Sequence, residues 1–144
     1  MKDAHSRLAE WFEEHWGQKL PTNGDTDLFG IFGIEGDDAS EFMDDFGARF
    51  EIDGENYLWY FHHREEGTNF GALFFKPPYA RVQRMPITPN ILIEAIETKG
   101  WPLKYPAHHA PTVRWDIRAN LLLLVIPVVL LALWLWKASV RFGS

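Results

Sequence analysis

The sequence predicts an all-α protein, a small helical bundle followed by a C-terminal transmembrane helix. Three observations predict it. Apolar residues recur at helical spacing around residues 8–15, 39–50 and 91–96. Helix-ending and helix-starting residues stand at the edges of those segments, with Gly17 after the first and Thr88-Pro89 before the last. Residues 119–136, "ANLLLLVIPVVLLALWLW", then run without a single charge. The 144 residues suffice for one small core and such an extension.

The first helix is expected over Ala4 to Trp16. Leu8, Trp11, Phe12 and His15 lie at i, i+3, i+4 and i+7, and Glu10, Glu13 and Glu14 fall elsewhere. Gly17 supplies its end. "QKLPTNGDTD" is a loop of turn formers, and Leu28, Phe29, Ile31 and Phe32 read as apolar plugs in the same connection. A second helix starts at Asp37 or Asp38 and runs to about Phe50. At 100° per residue, Ala39, Phe42, Met43, Phe46 and Phe50 share one face, while Asp37, Glu41, Asp44 and Asp45 share the opposite one. Asp37 and Asp38 also sit at the positive end of the helix dipole.

"DGENYLWYFHHREEG" is read as a third helix from near Asp53 to Gly67, although its density of aromatics suits a strand as well. A short helical piece is expected before Pro77, and an irregular loop after it. In the last soluble helix Thr88 is the N-cap and Pro89 takes the first position, where its missing N–H costs nothing. Ile91, Leu92, Ala95 and Ile96 form its buried stripe, and Gly100 is its expected stop. "WPLKYPAHHAP" carries three prolines and reads as an extended linker. The organisation is thus 1–100 as a helical domain, 101–118 as a Pro-rich linker, 119–136 as a transmembrane helix and 137–144 as a tail.

Eighteen helical residues span about 27 Å, close to the ~30 Å hydrocarbon core. Arg118 and Lys137 bracket the run and can snorkel outward, and Trp134 and Trp136 sit where an aromatic belt belongs. A core helix in so small a protein would keep a polar face, and this segment has none. No signal peptide is read in the opening residues. The basic residues before the span (Lys104, Arg114, Arg118) and after it (Lys137, Arg141) nearly balance, so the positive-inside rule does not orient it. The eight residues after the span are easier to translocate than a folded domain. The expectation is a tail-anchored protein with residues 1–118 in the cytoplasm and Ser144 outside.

The chain has no cysteine, which excludes disulfides, thiolate metal sites and thiol nucleophiles. Its net charge of −6 is unevenly spread: residues 1–55 hold fifteen acids and four bases. Such a half repels nucleic acid and suits a basic protein partner. His62 and His63 are adjacent and point apart on a helix, and His108 and His109 are adjacent in the linker, so neither pair converges on a metal. "DTDLFG" begins like a calcium loop and then loses its ligands. A nucleophile elbow and a phosphate-binding glycine loop are both absent. No metal, no cofactor and no catalytic residue is expected, and the protein is read as a non-enzyme.

"TDLFGIFGIEGDDASEFMDDFGARFEID" followed by "MPITPNILIEAIETKGW" resembles the acyl carrier protein superfamily, and more closely an uncharacterised bacterial family with an acyl-carrier-like core. The resemblance covers roughly residues 4–100, with extra residues between about 55 and 86. It implies an acyl-carrier-like bundle whose last helix opens at Ile87-Thr88. Leu28, Phe32 and Gly33 match positions before the carrier's second helix, and Glu41 and Asp44 fall on its partner-facing side. The serine that carries phosphopantetheine would align with Gly36, in Glu35-Gly36-Asp37, and glycine has no hydroxyl. The resemblance therefore implies a docking face, read at Asp37, Glu41, Asp44 and Asp45, for a basic protein partner; it does not account for the span, which by itself puts that face at a bacterial inner membrane. One alternative is a genuine carrier modified on Ser40. Another is a small membrane subunit or immunity-type protein acting through its transmembrane helix.

Overall fold

The computed structural model describes residues 2–142; residues 143 and 144, the outward end of the expected tail, lie outside them. The protein is all-helical, with no strand among the described residues and one isolated parallel bridge between Asp53 and Gly100. Two compact units form. One holds residues 2–66 and 82–108, the other residues 67–81 and 109–142.

In the first unit, α1 (Ala4–Trp16) opens at Asp3, whose side chain accepts from the Ser6 N–H at 2.7 Å, and closes at Gly17. Leu8, Trp11 and Phe12 are buried. His15, placed on that stripe by its spacing, is exposed instead. Its ring lies 5.3 Å from that of Trp11 and its Nε2 3.8 Å from an Asp45 oxygen. The apolar plugs form a short helix, α2 (Leu28–Phe32). Leu28 and Phe29 are buried, but Ile31 is 55% exposed, because a single helical turn cannot point four neighbouring residues at one core.

Helix α3 (Gly36–Phe50) buries Ala39, Phe42, Phe46 and Phe50. Trp11 meets Phe42, Phe46 and Phe50 edge-on at 5.2, 5.7 and 5.8 Å between ring centroids. Edge-to-face aromatic packing of this kind adds roughly 0.5–1.5 kcal/mol per pair beyond area burial. Helix α4 (Pro89–Thr98) begins as its cap residues require, with the Thr88 hydroxyl accepting from the Ile91 N–H at 3.4 Å. It packs on α1 and buries Leu92, Ala95 and Ile96, with Ile91 half-buried. Its stop is Lys99, not Gly100. Lys99 takes the left-handed conformation at φ 59°, and its ammonium donates to the Phe50 carbonyl at 2.6 Å.

The expected third helix is absent. Residues 53–67 form an irregular segment with one 3-10 turn at Trp59–Phe61. Phe61, His62 and His63 are buried in succession, which no single face of a surface helix can achieve. Residues 101–108, read as the start of a linker, pack into this unit instead: Trp101 is buried, and the Tyr105 hydroxyl gathers partners from three sides.

In the second unit, 3-10 turns at Phe70–Leu73 and Pro78–Ala80 flank Pro77. The long helix α5 (Trp115–Phe142) begins four residues before the charge-free run and continues past it, with Pro127 inside. It is the one helix among the described residues long and apolar enough to cross a membrane, and none of its apolar window is buried. A core helix of a soluble protein would be mostly buried.

Candidate functional site

The candidate site is the outer face of α3 and the ground beside it. Asp37, Glu41 and Asp44 are exposed, while Asp45 is half-buried and sits beside His15. The 3.6-residue period produces this result, since burying Phe42, Phe46 and Phe50 turns the carboxylates outward.

The start of α3 is clamped by the segment after the aromatic loop. The Gly36 N–H donates to the Arg64 carbonyl at 3.1 Å, and the Arg64 N–H donates to a Glu35 carboxylate oxygen at 2.9 Å. Gly36 is buried at φ +53°, a conformation that side chains rarely adopt. A Cβ added there would overlap the Glu66 side chain. Gly36 is therefore closed to a side chain as well as lacking a hydroxyl. Ser40 lies one turn on, and its hydroxyl donates to the Gly36 carbonyl at 3.3 Å.

A cavity of about 510 Å³ opens beside this face, bordered by Ser40, Asp44, Tyr57, Trp59, His63 and Trp101 among others. Two of its bordering side chains carry buried polar atoms without a hydrogen-bond partner, the Tyr57 hydroxyl and His63 Nε2. His63 Nδ1 lies 3.0 Å from the Arg64 carbonyl oxygen and must donate to it, which in the Nδ1–H tautomer leaves Nε2 as the acceptor. Burial, then the neighbouring Tyr105 phenol and the Asp44 carboxylate, push the Tyr57 phenol up, so it remains a neutral hydroxyl. Such orphaned groups each cost roughly 1–3 kcal/mol and are uncommon in folded proteins.

Of the four acidic residues read from the sequence, the structure puts Asp44 at the cavity and leaves Asp37 and Glu41 on open surface. Tyr57, Trp59, His63 and Trp101 were not singled out as site residues. For the first three the signal was the aromatic crowding of 57–63, which also fits a helix or strand; Trp101, at the head of the Pro-rich stretch, carried none. The carboxylate of Asp27, in the segment that begins like a calcium loop, is held by Arg84 through bonds of 2.6 and 3.2 Å. No group of three or more potential metal ligands gathers among the described residues. No family model, curated protein or solved structure matches the chain.

Proposed function

We propose that the protein is a membrane-anchored, non-catalytic interaction module with an acyl-carrier-like core, which docks a basic protein partner on the acidic face of α3. The observation that carries this reading is the conjunction at Asp44. An exposed row of carboxylates ends beside an aromatic-walled cavity, and two of the side chains that border it, His63 and Tyr57, hold buried acceptor atoms without a hydrogen-bond partner. A lysine or arginine side chain supplies what that arrangement lacks: positive charge, donors and a stem that packs on Trp59 and Trp101. Helix α5 anchors the module, and the reading puts it in a bacterial cytoplasmic membrane with the first unit in the cytoplasm.

The full chain, purified in mild detergent with its partner, tests this. Reversing Glu41 and Asp44 to lysine should cut retention of the partner at least tenfold. Raising the salt from 0.1 to 0.5 M should weaken the wild type, since exposed charges are screened over about 8–10 Å at low salt. Tyr57→Phe should weaken binding while leaving the fold as stable as before or more so, because it deletes an unpaired hydroxyl. Retention indifferent to all three changes would overturn docking on α3 and favour a contact made through α5.

A further inference from the structure

We propose that residues 70–75 form a membrane-interface wedge that inserts into the lipid bilayer beside the base of α5. Phe70, Leu73, Phe74 and Phe75 are 50, 80, 71 and 44% exposed, a concentration of bare apolar surface that water does not favour.

The segment is fastened to α5 and cannot turn these side chains inward. The Phe70 N–H donates to the Asn120 side-chain oxygen at 2.9 Å, and the Asn120 amide donates to the Thr68 carbonyl at 3.3 Å. The Asn69 amide donates to Asp116 at 2.9 Å, and Asn69 also caps the turn by accepting from the Ala72 N–H at 3.2 Å. Gly71 is buried so tightly that a Cβ would overlap the Asp116 carbonyl oxygen.

Continuity with the span identifies the occupant. The turn packs on the first turns of α5, where Trp115 and Ile117 are exposed and Leu121 opens the lipid-facing run. The Phe75 and Trp115 rings lie 6.4 Å apart. Whatever covers Leu121 also reaches the turn, and for a charge-free helix of this length that is hydrocarbon. The polar groups fit the same setting. Asn120 lies inside the charge-free run, and the backbone of the turn takes up both ends of its amide, as a lipid environment demands. Lys76 follows the apolar residues directly, Arg81 closes the same segment, and Arg118 stacks 5.0 Å over the Trp115 ring, an aromatic and cationic fringe suited to headgroups.

This inference rests on reading α5 as a span, and the test separates the two. The chain has no cysteine, so single cysteines report one position each. Leu73→Cys, Leu130→Cys and Glu13→Cys would carry an environment-sensitive fluorophore in full-length protein reconstituted into phosphatidylcholine–phosphatidylglycerol vesicles. Lipids with a nitroxide near the headgroup should quench the Leu73 label at least threefold more than the Glu13 label. Lipids with a nitroxide deep in the chain should quench Leu130 most. A Leu73 label as unquenched as that on Glu13, with Leu130 still quenched, would overturn the wedge and leave the span standing. A Leu73 label shielded from water yet untouched by either lipid would also overturn it, in favour of a protein cover. An unquenched Leu130 label would overturn the span itself, and the wedge with it.

Discussion

His62 has no exposed surface, and its surroundings fit only a neutral ring. Nδ1 donates to the Met85 carbonyl at 3.0 Å, and Nε2 accepts from the Tyr105 hydroxyl at 2.8 Å. The Tyr105 oxygen in turn accepts from the Leu58 N–H at 3.2 Å and Trp101 Nε1 at 2.7 Å, which completes its capacity. Burial pushes the His62 pKa from 6.5 down to about 4. The sign follows: the unfolded chain binds the proton first, so this contribution is complete above pH 6.5 and is lost as pH falls toward 4. The loss amounts to roughly 3 kcal/mol across that window. Thermal melts of the full chain in detergent should show a falling midpoint from pH 7 to pH 4.5. A His62→Gln variant should melt lower at pH 7 but with a shallower pH slope. Parallel slopes would assign the pH dependence to other groups.

At the scale of the element, α3 has one face for the core and one for water. Phe46→Ala should cost about 3–5 kcal/mol, the usual range for emptying a buried phenylalanine site, and should strongly lower the melting midpoint. Glu41→Ala should leave the midpoint nearly unchanged. Equal midpoints would mean that the faces are reversed. The closed start of α3 makes a second prediction. Co-expressed with a promiscuous phosphopantetheinyl transferase, the protein should keep the mass of its unmodified chain, and an added prosthetic group on Ser40 would revive the carrier reading. Helices α1, α3 and α4 were legible because their signals are local: a 3.6-residue stripe, Thr88-Pro89 at one start, Gly17 at one end. The segment from Asp53 to Gly67 was not, because Phe61, His62 and His63 are buried by partners distant in sequence, Met85 and Tyr105 among them. Lys99 hid the end of α4, since Gly100 beside it is the residue that ordinarily takes a left-handed conformation. Of the candidate site, the carboxylate face followed from periodicity. The cavity did not, since it needs Trp101 brought beside α3.

For the whole molecule, the unburied apolar window of α5 predicts behaviour in membranes. The protein should stay in the membrane fraction through an alkaline carbonate wash, and full release would overturn the span. With the proposed orientation, protease added to intact spheroplasts should spare an N-terminal tag, and its digestion would reverse the topology. The way α5 holds the segment 67–81 also bears on how the protein can be handled. Ending the chain at His108 would retain every residue of the first unit but remove the helix against which Gly71 and Asn69 pack. Phe70, Leu73, Phe74 and Phe75 would remain on an internal loop without its anchor, a sticky patch on the fragment. Such a truncation invites aggregation in buffer, and removing 67–81 together with α5, with a short glycine-serine bridge from Glu66 to Val82, is the more promising route to a monodisperse sample.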